Sequence, residues 1–295
     1  MCGIVGLFLK TEALHPRLGD LLTDMLITLT DRGPDSAGIA IYGDADGGLK
    51  MTVQSDTPAQ TFAGLQDALE AALGQKVGVR VIDTHAVLSL PADSGDAARA
   101  FMAARGIRVM GSGESMEIFK EVGLPRDVAA RFGLRQMAGS HGIGHTRMAT
   151  ESAVTTLGAH PFSTGDDQCL VHNGSLSNHN AMRRVLTAKG FAPKTQNDTE
   201  VAACYISSRL AEGATLGQAL QGTLKDLDGF FTFVVGTKTG FGVVRDPVAC
   251  KPAVMAETED YVAFGSEYRA LANLPGIETA RVWEPEPATV YFWER

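Results

Sequence analysis

The chain has 295 residues, 44% of them hydrophobic and 20% charged, with a formal net charge of −8 at pH 7. That is the balance of an ordinary globular enzyme with enough chain to bury a core. It excludes a broad phosphate-neutralising face, hence a nucleic-acid binder, and no apolar run approaches the length that crosses a bilayer, so no membrane partner is expected.

In chain order, an apolar run at 4–9 predicts a strand. A helix over 17–30 follows, with Leu18, Leu22, Met25 and Leu29 on one face. Asp31-Arg32-Gly33-Pro34-Asp35 ends it, because Gly and Pro cannot continue a helix. Short strands are expected at 38–42 and 51–54. Residues 57–136 read differently, with helix 59–73, strand 77–83, helix 96–105, strand 107–110, and short helices at 116–122 and 126–132. That alternation predicts a small α/β insertion lobe on the edge of the molecule, adding no strand to the main sheets. Beyond it come strands 142–147 and 169–172, then helices 178–189, 199–212 and 216–227. Strands at 230–236, 241–245, 253–257 and 261–266, a short helix at 268–273 and a strand at 289–293 close the chain. Strands and helices grouped in this way predict an α+β fold of two packed antiparallel sheets covered by helices.

The N-terminus has neither the basic nor the apolar region of a signal peptide, which predicts a cytoplasmic protein with reduced thiols. Of the four cysteines, Cys169, Cys204 and Cys250 sit in or beside apolar runs and are expected in the core. Cys2 is different. It follows Met1, and aminopeptidases remove an initiator methionine before a small residue. Cys2 then carries a thiol and a free α-amine, a nucleophile with its own base, because an α-amine titrates at about 7.7–8.0. The competing reading is a small apolar residue opening a buried strand.

Five further motifs decide between these readings: Arg32-Gly33-Pro34-Asp35-Ser36, Gly144-His145-Thr146-Arg147-Met148-Ala149-Thr150, His172-Asn173-Gly174, Asn197-Asp198-Thr199-Glu200, and Arg245-Asp246-Pro247 with Lys251-Pro252. With Cys2-Gly3-Ile4 they form an ordered set that resembles the class II glutamine amidotransferases, whose glutaminase domains are N-terminal-nucleophile hydrolases with a four-layer αββα sandwich fold. The resemblance covers roughly 1–42 and 141–267.

It implies that Cys2 attacks the side-chain amide of L-glutamine and that the γ-glutamyl thioester is then hydrolysed. Asn173 and Gly174 alone read as a hairpin turn; with His172 and Cys2 in the same chain they read as an amide and a backbone donor for the oxyanion, the role the resemblance also implies. It further implies that Arg147 grips the substrate carboxylate and that Asp198 holds the ammonium, although Asp198 also reads as a helix N-cap. Thr150, closing the Arg147 motif, is expected in the substrate pocket. Arg32 is expected to brace the site with Asp35 as its partner, and His145 and His172 are expected to be structural rather than basic. The seven histidines form no metal-binding spacing. Gly111-Ser112-Gly113-Glu114 is expected as a turn rather than a phosphate loop.

After residue 267 about thirty residues remain, too few for an acceptor domain, so the ammonia acceptor is expected on another polypeptide. The insertion, with Val109-Met110-Gly111-Ser112-Gly113 and Met116-Glu117-Ile118-Phe119, resembles the separate glutaminase subunits of split glutamate synthase-like systems, including N-methylglutamate synthase. That implies a heteromeric complex with synthase subunits, no cofactor in this chain, and FMN on a partner. Two alternatives stand beside it: a free-standing amidase acting on a γ-glutamyl compound, and a non-catalytic assembly subunit.

Overall fold

The structure, a computed structural model, describes residues 2–45, 47–149 and 153–295. In chain order its strands are β1 (Gly3–Leu9), β2 (Ser36–Tyr42), β3 (Leu49–Gln54), β4 (Gly78–Ile82), β5 (His85–Leu90), β6 (Arg108–Gly113), β7 (Met116–Val122) and β8 (His141–Arg147). They continue as β9 (Phe162–Gly165), β10 (Gln168–Leu176), β11 (Gly229–Gly236), β12 (Gly240–Arg245), β13 (Val254–Glu257), β14 (Tyr261–Gly265), β15 (Arg281–Trp283) and β16 (Val290–Glu294). The helices are α1 (Leu18–Thr28), α2 (Pro58–Thr61), α3 (Leu65–Leu73), α4 (Gly95–Ala104), α5 (Pro125–Arg131), α6 (His179–Ala188), α7 (Asp198–Ala211) and α8 (Leu216–Asp226).

Two antiparallel sheets lie face to face, one in the order β15-β13-β14-β1-β8-β2-β7 and the other β16-β12-β11-β10-β9. Strand β1 is central to the first, between β14 and β8. Its even positions Ile4 and Phe8 enter the core between the sheets with Tyr42, Val171 and Phe241. Its odd positions Val5, Leu7 and Leu9 pack outward beneath α1 and α5. Burial on both faces is why β1 is an unbroken apolar run rather than an alternating one. Helices α6, α7 and α8 cover the outer face of the second sheet through Val201, Leu186 and Leu220 against Leu170 and Phe231. The layers are therefore helix, sheet, sheet, helix, the αββα arrangement expected from the sequence.

A third sheet, β4-β5-β3-β6, has its own core of Met51, Val53, Leu69, Leu88 and Met102 beneath α3 and α4. It already includes β3, and β5 was not anticipated from the sequence. The segment expected as a helix at 116–122 is strand β7, paired with β2 along its whole length at the edge of the seven-stranded sheet. The expectation that 57–136 adds no strand to the main sheets is therefore wrong for this one segment. The reason is that Met116 and Ile118 fill the inter-sheet core while Phe119 faces the opposite cluster, a period of two that needs a sheet partner to become visible. The Gly111–Gly113 stretch is likewise strand, not turn; Gly113 is required because a Cβ there would stand 2.2 Å from the Asp167 carboxylate. The helix expected at 59–73 is broken at Gly64, whose φ of +66° separates α2 from α3.

Candidate functional site

Cys2 is half-buried and immediately precedes β1. Gly3 pairs with Thr146 of β8, and Ser36 of β2 pairs with Arg147, so Cys2 lies at the sheet end where β8 delivers Arg147. A Cβ on Gly3 would meet Thr146 Oγ1 at 2.7 Å, and one on Gly33 would fall within 2.5 Å of the Thr146–Arg147 backbone. Glycine at both positions lets the β1 entry and the 32–36 turn close on the strand. The Cys2 carbonyl accepts from Arg32 Nε at 3.0 Å and from Asn173 Nδ2 at 3.2 Å. Ile4 N–H donates to Ser266 Oγ at 2.9 Å, which pins the next turn of backbone.

Arg32 is buried, and its Nη1 lies 2.6 Å from Glu267 Oε1. Asp35, the expected partner of Arg32, instead accepts from Ala149 N–H at 2.7 Å and so fixes the backbone just beyond Arg147. The correction has a plain cause: β14 runs beside β1, so its exit carries Glu267 to Arg32, whereas the turn points Asp35 the other way. The Arg32 hydrogen bond, then that of Arg269, holds the Glu267 carboxyl below the usual glutamate value of 4.5. A depressed carboxylate stabilises the fold above the unfolded-state pKa and loses that contribution as pH falls through the folded one. Glu267→Gln is therefore expected to melt at a lower temperature than the wild type at neutral pH, with the gap closing on acidification below 4.5. Thermal melts across pH check this; a constant gap would mean that the carboxylate charge is not what holds Arg32.

Asn173 and Gly174 lie inside β10, opposite Thr232 and Phe231 of β11, and not in a hairpin turn. Phe231 exchanges both its backbone groups with Asp246 on the far side. Residues bonded on one side of an antiparallel strand are not bonded on the other. Gly174 and Phe231 are thus a non-hydrogen-bonded pair, and Gly174 N–H is directed away from β11, toward the flank where β9 pairs no further than Leu170. The Gly174 φ is +155°, and a Cβ there would stand 2.0 Å from Phe230 O and 2.6 Å from His172 Nε2. Only glycine fits.

Behind this strand lie three buried histidines. His145 Nε2 is 3.0 Å from His172 O, and because a carbonyl only accepts, that nitrogen carries the hydrogen. His172 Nδ1 and His160 Nε2 both contact Thr199 Oγ1, at 2.9 and 3.3 Å. Burial pushes His145 down to about 3 and His172 to about 4, so both are neutral at pH 7. Their hydrogen bonds run to His172 O and Thr199 Oγ1 and tie β8, β10 and α7 together.

The N-cap of α7 is Asn197, whose side chain accepts from Thr199 N–H at 2.9 Å; Asp198, read as a possible cap, is the first helical residue. Asp198 Oδ2 accepts from Leu176 N–H at 2.9 Å, and Oδ1 stands 3.8 Å from His172 Nδ1. Its side chain keeps 23% of its surface exposed, so a carboxylate edge is left for a ligand. Arg147 is buried, with Nη1 donating to Ala153 O at 3.3 Å. Thr150 lies outside the described residues.

Cys2, Arg32 and Asn173 are therefore in direct contact, Arg147 ends the neighbouring strand, and Asp198 joins β10 two residues beyond Gly174. Sequence reasoning missed Ser266 and Glu267, which follow β14 as an ordinary strand exit, and the Thr199 link, whose residue it noted without a role. Cys250 was expected in the core and is exposed. Cys169 and Cys204 are buried, and burial pushes both thiols up to about 12, which disqualifies them as nucleophiles at neutral pH.

Residues 145–273 match the family described as the glutamine amidotransferase domain. The chain is 68% identical over its whole length to the glutamine amidotransferase-like protein GlxB of Rhizobium meliloti (strain 1021), covering 98% of that protein. It is 33% identical to a putative glutamine amidotransferase of Methanothermobacter thermautotrophicus, with 100% of both chains covered. Among solved structures, the glutamine phosphoribosylpyrophosphate amidotransferase of B. subtilis superposes with a TM-score of 0.63 at 20% identity over 99% of this chain. The chain spans about half of that enzyme, 47% of its length.

Proposed function

Since the chain belongs to the glutamine amidotransferase family, in its class II branch, we propose that it hydrolyses L-glutamine through a Cys2 thioester and hands the ammonia to a synthase partner. The observation that carries this reading is the Asn173 side-chain amide seated 3.2 Å from the Cys2 carbonyl. An amide donor is thereby held beside the one cysteine of the sequence that carries both its thiol and a free α-amine once Met1 is removed. One Nδ2 hydrogen is used on that carbonyl, and the amide has a second.

In this reading the α-amine takes the thiol proton, and Cys2 Sγ adds to the glutamine amide carbon. The tetrahedral oxyanion is met by Asn173 Nδ2 and by Gly174 N–H, which points away from its sheet partner. The ammonium form of the base then protonates the leaving ammonia, the thioester remains, and water cleaves it to glutamate. Arg147 takes the α-carboxylate with its planar fork and Asp198 the α-ammonium, which selects an amino-acid amide over a simple one. Arg147→Lys is expected to raise KM for glutamine about tenfold or more with a smaller change in kcat, because a point charge loses the two-pronged contact. An unchanged KM would move Arg147 out of the substrate site.

The partner in this proposal is an FMN-bearing, glutamate synthase-like subunit of the kind found in N-methylglutamate synthase, and this chain itself binds no flavin. Ammonia escapes into water as fast as it forms, so glutamine turnover is best tied to an acceptor being present. The experiment compares glutamine turnover by the chain alone and by the co-purified complex with acceptor bound. A higher kcat/KM in the complex is expected; equal values would favour a free-standing amidase.

A further inference from the structure

A large cavity among the described residues lies away from Cys2. It encloses about 710 Å³ between the third sheet and the helical layer, walled by α4 and β6 on one side and by β9, the 190–195 loop and α7 on the other. That volume is in the range of small-molecule sites. Its walls are anchored rather than merely apart. The 190–195 loop has no helix or strand of its own, yet the buried Glu200 carboxylate accepts from Lys194 N–H, Thr195 N–H and Thr195 Oγ1 at 2.6–2.9 Å. Arg183 holds Thr195 O at 2.7 Å. On the opposite wall Arg99 bridges Ser112 and Asp166.

The lining is charged in a direction opposite to the protein. Among its lining residues Arg99, Arg108, Lys120 and Lys194 stand against Asp166 and Glu200, although the chain as a whole carries −8; from behind the lining Asp56 pairs with Arg108 at 2.8 Å and Asp96 with Arg99 at 3.4 Å. Lys120 is buried at the floor with Nζ donating to Ala159 O at 2.8 Å and Pro161 O at 3.0 Å, so it contributes a positive field rather than a free donor. Phe162, Phe191, Val109 and Met110 provide apolar surface between the charges.

We propose that this cavity is a second small-molecule site that takes an organic anion with an apolar body, and that its occupancy is felt at the glutamine site. The first turn of α7 connects the two: Glu200 lines the cavity, Thr199 holds His172, and Asp198 reaches the end of β10 beside Gly174. An occupant that shifts Glu200 and the 190–195 loop moves Asp198 on the same turn. The coupling rests on the glutaminase reading given above; the site does not.

The test uses the full chain and the fluorescent anion 8-anilino-1-naphthalenesulfonate. Saturable binding at one site per chain is expected. Ala103→Trp at the exposed rim should weaken it about tenfold by filling the mouth, and Lys194→Glu about threefold or more by reversing charge. Melting temperatures equal to wild type establish that both variants are folded. At saturating probe the KM for glutamine should change about fivefold in wild type and hardly at all in Ala103→Trp. No saturable binding, or equal affinity in all three proteins, overturns the site. A KM that ignores the bound probe overturns the coupling. Because fluorescence reads binding without turnover, and Cys2→Ala should bind the probe like wild type, failure of the glutaminase reading is distinguishable from failure of the site.

Discussion

Cys2→Ala is expected to lower glutamine turnover by about 10³-fold or more, since removal of a covalent nucleophile leaves only what the oxyanion donors and substrate binding supply. The fold should barely notice. Cys2 stands before β1, and the residues that build the two cores from that strand begin at Ile4. The contacts that Cys2 makes to Arg32 and Asn173 run through its backbone carbonyl, which alanine keeps. The melting temperature should therefore stay within about 2 °C of wild type. Ammonia release gives the rate, and intact mass of a quenched reaction shows whether the γ-glutamyl adduct on Cys2 disappears. The same spectrum reports whether Met1 has been removed. Turnover that survives the substitution at full rate would end the nucleophile assignment.

Asn173→Ala is expected to lower kcat by about 10²–10³-fold, the usual loss when one oxyanion donor is removed, with KM changed less than about threefold. The split follows from where the side chain sits. Asn173 is buried on β10 against the Cys2 carbonyl, whereas Arg147 and Asp198, assigned to the two charged ends of glutamine, approach from β8 and α7. A donor that meets charge only after Sγ has added contributes to the transition state and little to substrate affinity. Steady-state kinetics on the variant decide the matter: a large rise in KM with kcat preserved would make Asn173 a binding residue, and no change in either would remove it from the site.

Much of the candidate site was legible because its residues carry chemistry that does not depend on a partner strand. A cysteine behind the initiator methionine, an Asn-Gly after a histidine, and an arginine and an aspartate in short polar motifs can each be read one at a time. Their supports could not. Arg32 was assigned an acid of its own short motif, Asp35, and the structure gives it Glu267, 235 positions away, because β14 lies beside β1. The direction of Gly174 N–H was equally invisible, since it follows from Phe231 spending its own backbone groups on Asp246.

The sequence by itself determined the strand at β1, the ends of α1 and α7 and the layered α+β class, because each is written in a local pattern of polarity or breakers. Only the tertiary structure decided whether 116–122 would be helix or strand. Met116, Phe119 and Val122 fall three apart as on a helix face, and Met116, Ile118 and Lys120 two apart as on a strand. The tie is broken by β2, which offers β7 a full ladder of seven paired residues, and by the buried ends of Lys120 and Glu121, which find Ala159 O and Thr84 Oγ1 only in the extended form. The same holds for the cavity between the third sheet and α7: its walls come from residues 99–204, and no stretch of chain encodes a space that exists only where separate elements fail to touch.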